Sequence, residues 1–179
     1  MMFYTGKGDH GETTRLGGAR RISKSERVIE AVGALDEAMC AIGMARAVVQ
    51  HARLREILPS VQQHLVQIMS HVSATPEART RYVGLDAADV QWLESLIVAL
   101  GQDLPPLHEF VLPGDSVAGA ACHQARVSVR RAERRVVALM AEEAGIAMFL
   151  LAYMNRLSSL LFVAALQEDR LAEALVTGV

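Results

Sequence analysis

Residues 146–166 read IAMFLLAYMNRLSSLLFVAAL, and this stretch decides the class of fold. It is as apolar as a membrane span, but Asn155, Arg156, Ser158 and Ser159 lie near its centre. An arginine at the centre of a membrane helix costs about 2.5–3.5 kcal/mol on insertion scales. We therefore expect no membrane association, and a helix that is buried in a helical bundle or at a contact between subunits.

The composition agrees with a helical protein. The chain has 179 residues, of which 51% are hydrophobic and 4% aromatic, and its length suits one domain with a substantial core. A net charge of −2 gives no electrostatic case for nucleic acid or an anionic membrane. Cys40 and Cys122 fall in apolar helical patterns, as free thiols do in a reducing compartment. Because no apolar signal region precedes Tyr4, we expect a cytoplasmic protein.

Hydrophobic periodicity predicts five helices after a polar, glycine-rich loop that covers residues 1–22. The helices are predicted to span about 23–50, 53–74, 87–101, 116–142 and 146–167, with a short tail helix over 168–176. No strand alternation is visible. We therefore predict an all-α, up-and-down five-helix bundle formed by residues 23–179 as a single domain.

Particular residues mark the helix ends. Ser23 and Glu26 have the spacing of a capping box, so the first helix should begin there. Asp86 and Asp115 are the predicted N-caps of the third and fourth helices. Pro59 threatens the second helix, because an interior proline removes one hydrogen bond and kinks the chain.

The N-terminal segment Gly6-Lys7-Gly8-Asp9-His10-Gly11 has the spacing G-x-G-x-x-G. A dinucleotide-binding fingerprint also needs a preceding strand, a helix that opens at the last glycine and a βαβ unit, and this sequence predicts none of them. It does not contain the Walker A pattern either. Glycines nevertheless allow backbone N–H groups to approach an anion. Two interpretations stay open, a phosphate loop of another kind and a flexible terminus.

Three arginines, Arg126, Arg130 and Arg134, recur every fourth residue of the predicted fourth helix and share one face. The helix is otherwise mostly apolar, so these arginines need partners. Asp36, in the apolar first helix, is a candidate partner for Arg126. Before any resemblance is considered, a structural ion-pair network and a bound phosphate ligand explain the pattern equally well.

Three other polar or aromatic positions are ambiguous. Asn155 and Arg156 interrupt the most apolar helix, which is costly unless both are hydrogen-bonded, either to a neighbouring helix or to a ligand. Phe110 follows a proline-rich turn, and a lone phenylalanine is a core residue more often than a functional one.

The histidines lack the Glu-x-x-His and H-E-x-x-H spacings of metal-binding helices, which argues against a di-metal bundle.

Three blocks of the sequence together suggest a particular family. The first block joins the N-terminal loop to the first helix: Tyr4-Thr5, Gly8-Asp9, Gly11, Thr13, Arg20, Lys24, Arg27, Glu30, Gly33, Asp36-Glu37 and Ile42-Gly43. The second is Phe110-Val111-Leu112-Pro113-Gly114, His123, Arg126 and Arg130-Arg131-Ala132-Glu133-Arg134, and the third is Asn155-Arg156-Leu157-Ser158. In this order the blocks resemble the PduO-type ATP:cob(I)alamin adenosyltransferases over almost the whole chain.

The resemblance implies a five-helix bundle that assembles into a homotrimer with active sites between neighbouring subunits. The N-terminal loop would wrap ATP, with Mg²⁺ held through the ATP phosphates and no protein ligand assigned to it. The implied ATP-binding residues are Thr5, Gly6, Lys7, Gly8, Asp9, Gly11, Thr13, Lys24, Arg130, Arg131, Glu133, Arg134 and Asn155. Asp36 and Arg126 would form a salt bridge across the subunit interface. We expect residues 5–20 to become ordered only around ATP.

The resemblance also implies the chemistry. Phe110 would cover the lower face of the corrin and exclude the lower axial ligand, which makes cob(II)alamin easier to reduce. Cob(I)alamin would then attack C5′ of ATP and form adenosylcobalamin and triphosphate, with Arg130 and Phe110 as the catalytic residues. Candidate further partners are a cobalamin reductase and an adenosylcobalamin-dependent client enzyme.

Three positions depart from the usual pattern of the family. Ser159 replaces the aspartate that usually follows Asn-Arg-Leu-Ser, Asp115 replaces a common second glycine, and Gly6-Lys7 varies a basic or hydroxyl pair. The loss of a buried acid at Ser159 could leave a neighbouring arginine unpaired. An alternative is therefore a carrier or sensor of cobalamin or ATP that has this fold and weak or no catalysis.

Overall fold

The computed structural model describes residues 4–82 and 84–177. A short hairpin precedes five helices: β1 Glu12–Thr14, β2 Arg21–Ser23, α1 Arg27–Val48, α2 Ala52–Ser73, α3 Ala87–Gly101, α4 Val117–Met140 and α5 Met148–Thr177. A 3-10 turn, Arg79–Arg81, lies between α2 and α3. The prediction of five helices is therefore confirmed, and the hairpin is an addition to it.

The hairpin corrects the prediction that residues 1–22 form a loop without strands. β1 pairs antiparallel with β2, and Thr13 lies opposite Ile22, which packs on the hydrophobic core. Ser23 ends β2, and its hydroxyl accepts a hydrogen bond from the backbone N–H of Ser25 at 3.2 Å. The predicted capping box is wrong, because α1 begins at Arg27 and its N-cap, Glu26, makes no side-chain cap.

The packing order of the helices differs from their order in the sequence. α1 packs against α2 and α4, and α5 packs against α4 and α3. A hydrogen bond of 2.9 Å between His64 and Tyr153 also joins α2 to α5. The core therefore lies among α1, α2, α4 and α5, while the main partner of α3 is α5. In a simple up-and-down bundle, by contrast, helices that are adjacent in sequence would pack together.

One of the two predicted N-caps is confirmed and the other is wrong. Asp86 caps α3 as predicted, in a reciprocal capping box with Asp89. α4 is capped by Ser116 and not by Asp115, since the Ser116 hydroxyl accepts from the N–H of Gly119 at 2.8 Å. Pro59 lies inside α2 without ending it. The helix continues past the proline because fully buried residues on both sides of it, among them Leu54, Leu58 and Val61, hold α2 on the core.

α5 is a single helix of 30 residues, so the predicted separate tail helix is wrong. Among the described residues, it is the one helix long and apolar enough to cross a bilayer, but half of its most apolar stretch is buried inside the protein. Tyr153, Leu157 and Leu161 on this helix have no exposed surface. The interpretation of this stretch as a buried bundle helix is confirmed.

Candidate functional site

Residues 5–11, which precede β1 at the open end of the hairpin and which we call the tip, form a compact pair of turns. Gly6 and Gly11 adopt positive φ angles of 66° and 74°, a conformation that favours glycine. Lys24 closes the turns, since its backbone N–H donates to the Gly11 carbonyl and its Nζ to the Gly8 carbonyl, both at 2.8 Å. A Cβ on Gly8 would lie 2.9 Å from that Nζ, so a side chain there would displace the lysine.

The tip is also tied to its own hairpin. Arg21 donates to the carbonyl of Lys7 at 2.5 Å and to that of Glu12 at 2.8 Å. Thr5 accepts from the N–H of Lys7 at 3.4 Å, and Thr13 is half-buried within β1. The structure thus contains internal partners for this segment, and the expectation that residues 5–20 become ordered only around ATP stays a prediction.

Behind the tip, Arg15 connects the hairpin to the bundle. Its guanidinium donates to both carboxylate oxygens of Glu143, at 2.7 Å each, and to the carbonyls of residues 72–74 at the end of α2. Arg79 donates to the same carboxylate and to the carbonyls of His71, Ala74 and Ala144. We call Arg15, Arg79 and Glu143 the clamp.

The clamp is partly buried, and its guanidinium nitrogens all find acceptors within the chain. The Arg15 and Glu143 side chains are 13% and 18% exposed. The hydrogen bonds from Arg15 lower the pKa of Glu143 and those from Arg79 add to the effect, while burial opposes it. Two arginines and one carboxylate, with backbone carbonyls around them, satisfy one another without any group from outside the chain.

A cleft of about 610 Å³ lies beside the clamp. Its walls come from the hairpin and from the segment after α2: Arg15, Gly17, Gly18, Ala19, Arg20, Ile22, Glu26, Thr75, Pro76, Glu77, Ala78 and Arg81. The hairpin approaches this segment closely, since a Cβ on Gly17 would collide with Ala78. Gly17 also has a φ of 74°, so both its conformation and its surroundings require glycine.

The predicted basic residues of α4 separate into two groups. Arg131 forms an ion pair with Glu37 of α1, so this predicted ATP ligand already has a partner within the chain. Arg130 and Arg134 are exposed, and within the described part of the chain neither forms a salt bridge. Arg134 donates only to the carbonyl of Arg130, at 3.1 Å. Two cations therefore remain available to a ligand.

Glu133, the predicted acid beside this basic face, is half-buried on α4. It takes part in none of the ion pairs between the residues that the structure describes. Its carboxylate is therefore available to a ligand or to another subunit.

A second set of charged groups, His123, Arg126 and Asp169, lies between α4 and α5, and we call it the open cluster. Among the described residues, both ring nitrogens of His123, the Nε of Arg126 and the Oδ2 of Asp169 are buried without a hydrogen-bond partner. Burial lowers the pKa of His123, the charge of Arg126 lowers it further, and Asp169 opposes both. Asp36 is exposed on α1 and forms no bond to Arg126 within one chain.

Two aromatic and polar contacts complete the surroundings of the open cluster. The Arg126 guanidinium carbon lies 6.0 Å from the centre of the Phe162 ring, within the range of a cation–π contact. The Ser116 hydroxyl donates to Asp169 at 2.6 Å. The cluster therefore keeps part of its hydrogen-bonding capacity unused within a single chain.

The polar pair in α5 divides between structure and surface. Arg156 forms an ion pair of 2.8 Å with Glu94 of α3 and donates to the side chain of Asn155 at 2.9 Å. Asn155 itself is exposed, as is Ser159. The serine at position 159 therefore leaves Arg156 paired, and Arg156 joins two helices while Asn155 stays accessible.

Phe110 lies on the connector between α3 and α4 and is 86% exposed, and Leu112 beside it is 74% exposed. The core interpretation of Phe110 therefore does not hold within one chain. No recorded hydrogen bond or ion pair between described residues links the hairpin tip to Arg130, Arg134 or Asn155. The predicted nucleotide residues thus form two separate groups in a single chain.

Metal ligation and the clamp are the remaining features. In residues 4–82 and 84–177, no group of three or more His, Cys, Asp or Glu side chains could hold a metal ion. Sequence reasoning missed the clamp, because Arg15 and Glu143 are 128 positions apart and neither lies in a recognisable motif. An arginine between a short strand and two glycines was the only hint.

A family profile described as cobalamin adenosyltransferase matches residues 3–168. The corrinoid adenosyltransferase PduO of Salmonella typhimurium is 36% identical over 172 residues, which cover 94% of this chain and 50% of that protein. The chain thus spans about half the length of that relative.

Two further matches cover most of both partners. The corrinoid adenosyltransferase of Bacillus subtilis is 37% identical over 169 residues, covering 92% of this chain and 85% of that protein. A solved structure of a variant PduO-type ATP:corrinoid adenosyltransferase from Lactobacillus reuteri, complexed with cobalamin and ATP, superposes with a TM-score of 0.88. That protein is 31% identical, and the match covers 96% of each chain.

Proposed function

This chain belongs to the cobalamin adenosyltransferase family, and we propose that it transfers the 5′-deoxyadenosyl group of ATP to cob(I)alamin, forming adenosylcobalamin and triphosphate. One observation carries the proposal beyond family membership. The chain exposes two groups suited to a polyphosphate, a glycine turn closed by Lys24 and the unpaired Arg130 and Arg134. Backbone N–H groups and guanidinium groups are both good phosphate donors.

ATP would bind at the hairpin tip. Thr5, Gly6, Lys7, Gly8, Asp9, Gly11 and Thr13 would surround it together with Lys24, Arg130, Glu133, Arg134 and Asn155. Arg131 would contribute less charge to the phosphates than Arg130 and Arg134, because Glu37 already balances its charge. Mg²⁺ would enter with the phosphates. Asp9 is the acidic residue of the tip, and its exposed carboxylate is of the type that Mg²⁺ binds.

The site would be completed between subunits of a homotrimer. The two groups of nucleotide residues share no hydrogen bond or ion pair among the described residues of one chain, and a neighbouring copy would bring them to one ligand. The open cluster supports this, since Arg126 keeps a buried donor without a partner and Asp36 presents an exposed carboxylate. A salt bridge between Asp36 and Arg126 across the interface would satisfy both.

Cobalamin would bind beside Phe110. This side chain and Leu112 are large, apolar and exposed, which is unfavourable unless a ligand or another chain covers them. Phe110 can offer no hydrogen bond or metal ligand, so its effect on the corrin would be to exclude water and the lower axial ligand. A corrin without that ligand is easier to reduce to the cob(I) state.

The reaction needs little from the protein beyond alignment and charge. The cob(I) electron pair attacks C5′ of ATP, a cobalt–carbon bond forms, and the C5′–oxygen bond breaks with its electrons on the triphosphate. No proton moves, so no general base is required. Arg130, Arg134 and the lysines would stabilise the leaving triphosphate as its charge develops, and the hairpin would hold C5′ in line with cobalt.

A second candidate is a carrier or sensor that binds cobalamin or ATP without efficient chemistry; Ser159 in place of the usual aspartate of the family favours it, although Arg156 keeps its ion pair with Glu94. Incubation with MgATP and chemically reduced cobalamin distinguishes the two, with the appearance of adenosylcobalamin followed by its absorption spectrum. We expect catalytic turnover. Binding of both substrates without product would support the carrier, and binding of neither would refute both.

A further inference from the structure

The clamp joins three parts of the chain that are distant in sequence. Arg15 comes from the hairpin, Arg79 from the 3-10 turn after α2, and Glu143 from the turn after α4. All acceptors of Arg79 lie in the bundle, on His71, Ala74, Glu143 and Ala144. Arg15 is therefore the member of the clamp that attaches the hairpin to the bundle.

Arg15 is mechanically connected to the tip through the two strands. It follows β1 directly, and β1 pairs with β2 from Glu12 opposite Ser23 to Thr14 opposite Arg21. Arg21 and Lys24, within and just after β2, donate to the tip carbonyls of Lys7 and Gly8. The position of Arg15 thus determines the position of the tip through a continuous series of hydrogen bonds.

The surrounding contacts act in the same direction. Leu16 forms a parallel bridge with Ala74, and the N–H of Thr75 donates to the Leu16 carbonyl at 3.0 Å. Gly17 and Gly18 then approach Ala78 and Thr75 too closely for a larger residue. The hairpin is therefore held on the bundle at residues 15–18. The tip, residues 5–11, lies at the opposite end of the two strands.

We propose that Arg15 is a positioning residue, which holds the hairpin on the bundle so that the tip meets the phosphates of ATP in one orientation. Arg15 does this through the hairpin and without touching the nucleotide, because the clamp encloses its guanidinium. The inference rests on the proposed function only for the identity of the ligand. A purely stabilising role would instead make Arg15 and Arg79 equivalent.

The matched variants are Arg15→Gln and Arg79→Gln. Each removes one guanidinium from the same carboxylate, and the side chain lost is 13% exposed in one case and 5% in the other. Only Arg15→Gln removes a clamp side chain that belongs to the hairpin itself. Arg15→Lys, which keeps the charge but cannot reach Glu143 and the three carbonyls together, serves if the glutamine variant does not fold.

Two measurements are made on the full chain, with MgATP as the probe. Calorimetry gives the dissociation constant of ATP, and hydrogen exchange gives the protection of residues 12–23 relative to the helices. We expect Arg15→Gln to weaken ATP binding by about tenfold and to expose the hairpin amides, since the apparent constant rises as the competent fraction falls. Arg79→Gln should change ATP binding by less than about twofold, whatever its thermal stability.

Each outcome decides the proposal. Equal weakening of ATP binding in both glutamine variants, or none in Arg15→Gln, would overturn it. Tight ATP binding by the wild type without adenosylcobalamin formation would refute the proposed function and leave this comparison valid. If the wild type binds no ATP, exchange decides: selective loss of hairpin protection in Arg15→Gln supports the attachment, and equal loss in both variants refutes it.

Discussion

The clamp and the open cluster are both partly buried groups of charge, and they differ in how far one chain satisfies them. In the clamp, Arg15 and Arg79 share the carboxylate of Glu143 and every guanidinium nitrogen has an acceptor. In the open cluster, His123, Arg126 and Asp169 leave buried atoms unpaired within the described residues. An unpaired buried charge is costly. The first group is thus satisfied by the folded chain alone, while the second would be satisfied by the proposed neighbouring subunit or by a ligand.

The largest effect is expected from Arg130→Ala, one helical turn after Arg126 of the open cluster. Arg130 is exposed and forms no salt bridge among the described residues, so its loss should leave the melting temperature unchanged. Removing one preorganised charge from a developing anion typically costs about 10²–10³-fold in kcat. The measurement is adenosylcobalamin formation from pre-reduced cobalamin, with Arg53→Ala, an exposed arginine of α2 paired with Glu56, as the control. Near-normal turnover would remove Arg130 from the site.

Phe110→Ala tests whether the exposed connector serves the corrin. Because Phe110 is 86% exposed, its loss should not affect folding or ATP affinity. Activity should fall by about 10–100-fold when cob(II)alamin must be reduced in situ, and less with cob(I)alamin, which lacks a lower ligand. Leu112→Ala, the neighbouring exposed residue, is the comparison. The same defect with both cobalamin states would contradict the proposed role.

The open cluster is tested by exchanging the charges of Arg126 and of its proposed partner in the neighbouring subunit, Asp36. Asp36→Arg or Arg126→Asp alone should dissociate the proposed homotrimer, since breaking one buried interfacial pair costs about 2–5 kcal/mol. The double exchange should restore assembly. Light scattering measures the mass of each species. A wild type that is monomeric at every concentration would sink the proposal of a site between subunits.

The clamp should respond through stability and not through assembly. Glu143→Gln leaves Arg15 and Arg79 without their common counter-charge, which should lower the free energy of unfolding by about 3 kcal/mol. Urea unfolding followed by circular dichroism measures it, and Glu142→Gln, whose ion pair with Arg27 is exposed, should cost less than about 1 kcal/mol. Equal effects of the two substitutions would show that the clamp contributes no more than a surface ion pair.

The smallest effect concerns pH. The pKa of Glu143 lies below its ordinary value of 4.5 in the folded protein, so the unfolded chain binds more protons in the interval between the two values. The contribution of the clamp is complete above pH 4.5 and is lost as the pH falls through the lowered value. Hydrogen bonds from the backbone and from Thr75 lower the pKa of the exposed Glu77, and the charge of Glu143 opposes that effect.

The acid unfolding of Glu143→Gln measures this contribution by difference. Its stability should fall less steeply than that of the wild type below about pH 4.5, because one titrating carboxylate is gone. Glu77→Gln is a useful second variant, since it removes a neighbouring carboxylate and leaves the clamp intact. Parallel acid profiles for the wild type and Glu143→Gln would contradict the role of Glu143.

What the sequence could predict was local. The periodicity of the helices and the N-cap at Asp86 depend on residues a few positions apart, and both predictions are confirmed. The hairpin was missed because strands of three residues are too short to show alternation, and Ser23 was assigned to a helix cap although it belongs to β2. The homology blocks predicted the family, since they are specific in combination.

What the sequence could not predict was long-range pairing. The resemblance assigned Arg131 to ATP, and nothing in the sequence indicated that the packing of α4 on α1 pairs this arginine with Glu37. Arg156 was ambiguous in the sequence, and its partner, Glu94, lies 62 positions away. Glu143 follows α4 in an unremarkable acidic pair. Such partners are determined by how the helices pack, and periodicity contains no information about it.

The packing of α3 on α5 has a consequence for the synthesis of the protein. α3 ends at Gly101, and the helix that provides its main contact, α5, begins only at Met148. On the ribosome, the apolar face of α3 therefore waits through the translation of the connector, α4 and most of α5 before it can be covered. Chains interrupted before α5 would expose buried surface of both α3 and α4, which makes them natural clients of chaperones and proteases.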